Sequence, residues 1–204
     1  MAEQSSISPY LNWAKQRIDE MDAALASLEA KAGQVQADSK AKATELIAEL
    51  KKKRDEFQSD VKKQAAAGEA AWKGNKAQFD AKWAAFEGQL KTYVDTVAKQ
   101  APQQQALFRD VATAQVKAWR EAADTVQQTA AKFAAGRRAD VDAAVQKMKA
   151  DAAEADARLQ KLNQLGQQSW ASLSAALAES RKAFDSANQA AWDAIKKAAP
   201  PSAG

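Results

Sequence analysis

The fold class follows from residues 11–35, which read LNWAKQRIDEMDAALASLEAKAGQV. Apolar residues recur along this stretch in alternating steps of three and four, at Leu11, Ala14, Ile18, Met21, Leu25, Leu28, Ala32 and Val35. Such steps place side chains on one face of an α-helix, and when they repeat as heptads they form the seam of a coiled coil. The stretch therefore predicts a long helix that packs against another helix.

The spacing of the apolar positions changes after Val35. The next positions, Ser39, Ala43 and Ile47, all lie four residues apart. This spacing predicts a stutter, at which the supercoil of a continuing helix relaxes. Heptads resume beyond it and reach Val97. Because period-two alternation is missing from the chain, we predict an all-α protein.

The second half of the chain repeats the first at a shift of 98 residues, or fourteen heptads. The matching pairs include Gly68 with Gly166, Trp72 with Trp170, Phe86 with Phe184, Asp95 with Asp193 and Pro102 with Pro200. The stutter recurs at Phe133, Arg137, Val141 and Val145. We predict an elongated antiparallel hairpin of long helices, or a coiled-coil bundle, built from a duplicated unit of about 98 residues. The predicted repeat units are residues 1–101 and 102–200, followed by a loose tail at 201–204.

The sequence leaves two alternatives open at Gly68 and Gly166. A glycine inside a helix costs about 1 kcal/mol relative to alanine, so each position is a candidate break. If the helix continues through the glycine, a helix of about 90 residues would extend roughly 135 Å. If it breaks there, each repeat unit is a hairpin with one long and one short arm.

Alanine dominates the composition, with 52 of 204 residues, and the formal net charge is +4. Together with abundant Lys, Glu, Gln, Arg and Leu, this composition is typical of coiled coils and long helices. Acidic residues interrupt every basic run, as Asp55 and Glu56 do after Lys51–Arg54. A nucleic-acid binder requires a concentrated positive face, so we predict a solvated helix surface and no specific nucleic-acid partner.

The chain contains no cysteine and no histidine. Disulfides, thiolate nucleophiles, imidazole acid–base chemistry and the usual zinc sites are therefore excluded. Neither a phosphate-binding glycine loop nor a calcium loop is present, and we predict no enzyme activity, no cofactor and no metal. Since apolar runs are short and the start of the chain does not resemble a secretory signal, we expect a cytoplasmic protein without a transmembrane segment.

The six tryptophans are the most distinctive feature of the sequence. Tryptophan is bulky, and its N–H needs a partner when it is buried, so it fits poorly in a simple two-stranded seam. The tryptophans either fill a multi-helix bundle or dimer interface, or they anchor amphipathic helices at a lipid or granule surface. The candidate interaction residues are Trp72, Phe79, Trp83, Phe86, Trp119, Trp170, Phe184 and Trp192.

Several segments of the first half carry a family resemblance: Leu25–Ala32, 41–46, 50–56, and Gly68–Trp72 leading to 81–86. In these segments the chain resembles a widespread group of bacterial coiled-coil proteins, some of which are stress-response proteins. The repeat pattern also looks like that of exchangeable apolipoproteins and of phasins, which coat polyester granules. The resemblance implies a helical protein and no catalytic residues.

These observations predict a non-catalytic coiled-coil protein with a structural or interaction role, related to stress. It would act through helix–helix association, as a homo-oligomer or with another helical protein. The alternative is an amphipathic-helix coat protein that binds lipid or a hydrophobic granule surface. Exposure of the aromatic residues in the free protein distinguishes the two hypotheses.

Overall fold

The computed structural model describes residues 9–67, 69–98, 101–133, 135–164 and 170–198, which contain six α-helices and no β-strand. The helices are α1 (Pro9–Ala32), α2 (Ala37–Ala67), α3 (Glu69–Val97), α4 (Ala101–Ala130), α5 (Ala135–Gln164) and α6 (Trp170–Ala198). The prediction of an all-α protein is confirmed. Within these ranges, no helix has an apolar stretch long enough to span a lipid bilayer.

The first predicted stutter is a turn between two helices. Helix α1 ends at Ala32, and the N–H of Gln34 donates a hydrogen bond to the carbonyl of Lys31 at 2.9 Å. Bonds that span three residues in this way tighten and close the last turn of a helix. The interpretation of Ser39 as part of a continuing helix that began before Val35 was therefore wrong, because α2 starts anew at Ala37.

The second predicted stutter is also a turn. Helix α4 ends at Ala130, and the N–H of Phe133 donates to the carbonyl of Ala130 at 3.0 Å. Helix α5 begins at Ala135. In both places the apolar positions on either side of the turn happen to fall four residues apart, so spacing alone did not separate a stutter from a helix end.

A single long helix through the first half is also excluded. Helix α2 ends at Ala67 and α3 begins at Glu69, while Gly68 lies outside the described residues. The two helices run antiparallel, since Phe57 packs on Phe79 and Gln64 bonds to Asn75. Gly166 and the predicted tail at 201–204 lie outside the described residues as well.

Contacts divide the chain into two packing units, whose boundaries fall within α1, within α4 and after the first residue of α6. Unit N contains the described residues of Arg17–Gln115 and Gln168–Trp170, and unit C contains those of Met1–Gln16, Val116–Gln167 and Ala171–Gly204. These units are defined by packing, whereas the repeat units 1–101 and 102–200 were defined by sequence similarity. The repeat boundaries therefore stay a prediction.

Each packing unit has its own apolar core. Fully or almost fully buried side chains in unit N include Met21, Leu28, Leu50, Phe57, Phe86, Val94 and Val111. Those in unit C include Trp119, Val126, Val141, Met148, Phe184 and Ile195. Alanine also fills many core positions, such as Ala43 and Ala123. An alanine side chain removes little apolar area from water, so these helices gain less from packing than leucine-rich helices would.

Candidate functional site: aromatic and arginine contacts inside the bundle

The predicted interaction residues lie in the interior. The seven whose side chains are described are at most 8% exposed: Trp72, Phe79, Trp83 and Phe86 on α3, Trp119 on α4, and Phe184 and Trp192 on α6. Trp170 starts α6, but its side chain lies outside the described part of the chain. A lipid or partner surface could reach the seven only if helices separated.

In unit N the aromatic rings form two clusters along α3. Near the start of the helix, the ring centroids of Trp72 and Phe79 lie 4.8 Å apart, and Phe57 from α2 meets Phe79 edge-on at 5.4 Å. Farther along, Trp83 and Phe86 stack at 5.9 Å. Aromatic pairs at these separations add about 0.5–1.5 kcal/mol beyond the area that they bury. The first cluster therefore stabilises the α2–α3 pair.

A buried arginine completes the second cluster. The guanidinium carbon of Arg17 on α1 lies 5.0 Å from the centroid of the Trp83 ring on α3. Arg17 also forms an ion pair with Glu20, one turn later on α1, and both side chains are almost completely buried. A cation over an indole ring is attracted by the negative face of the ring, more strongly where water is excluded. This contact joins α1 to α3.

Sequence reasoning did not select Arg17 and Glu20. Charged residues are expected on the solvated face of a helix, and these two lie directly before the seam positions Ile18 and Met21. Their positions next to the seam were the feature of the sequence that could have indicated burial. A buried ion pair gains its favourable energy only with good geometry, because both charges lose their hydration.

In unit C a tryptophan of α4 meets an arginine of α6. Trp119 is on α4 and stacks on Phe184 of α6 at 5.2 Å. The guanidinium carbon of Arg181, also on α6, lies 6.0 Å from the centroid of the Trp119 ring. Trp119 is completely buried, and its indole nitrogen has no hydrogen-bond partner among the described residues. The aromatic ring and the cation, rather than an indole hydrogen bond, therefore define its surroundings.

Buried amides connect α1 to α6 within unit C. The side-chain amide of Gln16 donates to a carboxylate oxygen of Asp185 at 3.1 Å. The amide of Asn188 donates to the carbonyl oxygen of Gln16 at 2.5 Å. Gln16 and Asn188 are both buried. Because a buried amide is costly without its partners, these bonds favour one register of the two helices over others.

Groups with shifted pKa values are spread over separate helices. Burial raises the pKa of Asp22 on α1, although the nearby Arg54 opposes this effect. The hydrogen bond from Lys82 lowers the pKa of Asp60 on α2. Burial raises the pKa of Tyr93 on α3. Within the described ranges, no group of three or more carboxylates is placed to hold a metal ion.

Comparison with protein-family models, curated proteins and solved structures finds no match to this chain.

Proposed function

We propose that this chain is a non-catalytic structural or interaction protein that acts through helix–helix association. The observation that carries the proposal is the use of its aromatic and arginine side chains. Arg17 with Trp83, and Arg181 with Trp119, join one helix to another inside the bundle. The groups with shifted pKa values are dispersed, which favours a structural role over acid–base catalysis. The resemblance to bacterial coiled-coil proteins supports a stress-related role in the cytoplasm.

We further infer that the chain arose by duplication of a unit of about 98 residues. The turn bonds support this inference, because the bond from Gln34 to Lys31 recurs 98 residues later, from Lys132 to Thr129. Buried positions recur at the same shift. Such buried pairs are Leu28 with Val126, Leu50 with Met148, and Phe86 with Phe184.

Duplication is also compatible with the arginine–tryptophan contacts of the two halves, although their residues do not correspond one to one. At the shift of 98 residues, Trp83 corresponds to Arg181 and Met21 corresponds to Trp119. If the second copy had simply lost the tryptophan that corresponds to Trp83, a void would remain, and a void costs several kcal/mol in a packed core. Instead, the second copy carries its indole on the first helix and its cation on the third. Divergence of the two copies accounts for this arrangement, because the tryptophan at position 119 compensates for the arginine at position 181.

The proposed partner is a second copy of this chain or another helical protein. The alanine-rich core supports this choice, because helices that bury little apolar area gain stability by packing against further helices. Many exposed side chains form ion pairs one turn apart, such as Lys76 with Asp80 and Arg138 with Asp142. Exposed pairs of this kind contribute little to stability, but they keep a helix surface compatible with water.

Molecular mass in solution tests this proposal. Light scattering and sedimentation of the full chain over a roughly hundredfold range of concentration should show a dimer or larger species that dissociates on dilution. Small-angle scattering should give dimensions larger than those of a compact globule of one chain. A compact monomer at every concentration, also in the presence of helical candidate partners, would contradict the proposal.

Tryptophan fluorescence tests the coat-protein alternative. Because Trp72, Trp83, Trp119 and Trp192 are all buried, emission in buffer should already be blue-shifted. Vesicles of neutral or anionic lipid should leave the spectrum unchanged. A further change that saturates with lipid would mean that helices separate at the surface, and the coat function would replace the proposed one.

A further inference from the structure

We propose that a polar cavity between α2 and α3 binds a small organic carboxylate. The cavity lies near the turn that joins the two helices and has a volume of about 370 Å³. This volume is within the usual range of small-molecule sites. The residues that carry the argument are Asp60, Lys63 and Gln64 on α2, and Asn75, Phe79 and Lys82 on α3.

Gln64 supplies a hydrogen-bond donor that no described residue uses. The side chain is 6% exposed, and its carbonyl oxygen accepts a hydrogen bond from the amide of Asn75 at 2.8 Å. The amide nitrogen of Gln64 is buried and has no hydrogen-bond partner among the described residues. A buried donor without an acceptor destabilises a protein. A rotation of the Gln64 amide toward the cavity would let the acceptor oxygen of a bound molecule satisfy this donor.

The charges at the cavity favour an anion with a single charge. Lys82 forms a hydrogen-bonded ion pair with Asp60, and the ammonium of Lys63 lies 3.4 Å from the same carboxyl group. Two cations thus share one carboxylate, which leaves one positive charge in excess. The hydrogen bond from Lys82 keeps the pKa of Asp60 low, so Asp60 is ionised at neutral pH and repels multiply charged anions.

The remaining surface of the cavity suits a short, substituted carbon skeleton. Phe79 and Ala67 supply apolar walls, and the amides of Asn75 and Gln78 supply polar groups. A hydroxycarboxylate can place its carboxylate at Gln64 and Lys63, and its hydroxyl at an amide. A phosphate dianion offers no carbon skeleton and places more negative charge beside Asp60.

The corresponding positions of the second half lack this set of side chains. At the shift of 98 residues, Asp60 corresponds to Arg158, Gln64 to Leu162, Asn75 to Leu173 and Lys82 to Ser180. Arg158 instead pairs with Glu154 and Glu179. This set of polar side chains is therefore a property of the first half and not of the repeated helical pattern.

Titration of the full, isotope-labelled chain with sodium lactate tests the proposal. The side-chain amide signals of Gln64 and Asn75 should shift and saturate, whereas sodium chloride at equal ionic strength should cause no saturable shift. The variant Gln64→Leu should bind lactate about fivefold more weakly, the effect of one hydrogen bond. The variant Lys63→Gln, at an exposed ammonium, should also weaken binding, and Gln128→Leu, on an exposed position of α4, should not.

Three results would overturn the proposal. The first is the absence of a saturable shift with lactate. The second is unchanged lactate binding in both Gln64→Leu and Lys63→Gln, after circular dichroism has shown that each variant is folded. The third is tighter binding of inorganic phosphate than of lactate, which would exclude the carboxylate as the preferred ligand. Because Lys63→Gln alters a solvent-facing side chain, it tests the site even if Gln64→Leu fails to fold.

Discussion

Units N and C meet the same packing requirement with opposite assignments of residues. In unit N the first helix supplies the cation, Arg17, and the third helix supplies the indole of Trp83. In unit C the corresponding first helix, α4, supplies Trp119, and the third, α6, supplies Arg181. In both units, one guanidinium group lies over one indole ring. The requirement therefore lies in the pair of side chains, and either helix can supply either member.

Removal of each indole should give the largest loss of stability, and the size of the loss should differ between the two units. Trp119 is completely buried and stacks on Phe184, so Trp119→Ala should lower the free energy of unfolding by about 4 kcal/mol. Trp83 retains some exposure, so Trp83→Ala should cost about 3 kcal/mol. Urea denaturation followed by circular dichroism measures both values. A larger loss for Trp83→Ala would show that the exposed fraction does not rank the two contacts.

Replacement of each arginine by methionine tests the cation of each unit. Arg17→Met should cost about 3 kcal/mol, because the buried carboxylate of Glu20 loses its ion pair. Arg181→Met should cost at least about 1 kcal/mol, the scale of its cation–π contact with Trp119 at 6.0 Å. The double variant Arg17→Met with Glu20→Leu should recover most of the loss. If it does not, the cation–π contact rather than the ion pair makes Arg17 important.

Gly88 of α3 should reveal a smaller difference between α3 and α6. A Cβ at Gly88 would meet no atom within 4 Å, so Gly88→Ala should raise the free energy of unfolding by about 1 kcal/mol. The corresponding residue of α6 is Ser186, whose hydroxyl donates to the carbonyl of Lys182 at 3.0 Å. Ser186→Ala should therefore gain about 0.5 kcal/mol or less. Thermal or urea unfolding of the two variants measures both effects, and a loss of stability in Gly88→Ala would contradict open space at this position.

The smallest predicted effect concerns acid. The pKa of Asp60 is lowered in the folded chain from its ordinary value of 3.8, so its ionisation favours folding above that pH. This contribution, less than about 1 kcal/mol for a partly exposed pair, should disappear as the pH falls below 3.8 through the folded-state pKa. In urea unfolding, the variant Asp60→Asn should therefore be less stable than the original chain at pH 7 and equally stable at low pH. Equal stability of the two chains at pH 7 would show that the ion pair with Lys82 contributes nothing to folding.

The heptad pattern predicted the helical class and much of the core, because apolar side chains such as Met21 and Leu28 must leave water together. It did not predict the turn at Gly33. A helix that ends and restarts can keep apolar positions four residues apart, and periodicity then does not record the interruption. A glycine at this position was the missed signal.

The aromatic candidates whose side chains are described are buried, which is one of the two alternatives that the sequence left open, whereas the burial of the charged residues beside them was not predicted. Hydropathy places Arg17 and Glu20 in water, whereas their mutual pairing and the Trp83 ring make burial acceptable. The burial of Arg17 depends on Trp83, which lies 66 positions later in the chain, and no local sequence pattern extends that far. The polar cavity near Gln64 likewise depends on which faces of α2 and α3 meet.

The contact between Gln16 and Asn188 has a consequence for the order of folding. The two residues are 172 positions apart in the chain, whereas Gln64 and Asn75 are only 11 apart. Closing a long loop costs more chain entropy than closing a short one, so nearby contacts can form first. The α2–α3 pair is thus suited to begin folding, and the Gln16–Asn188 contact to complete it. Substitutions at the late contact should accelerate unfolding while leaving the rate of folding almost unchanged.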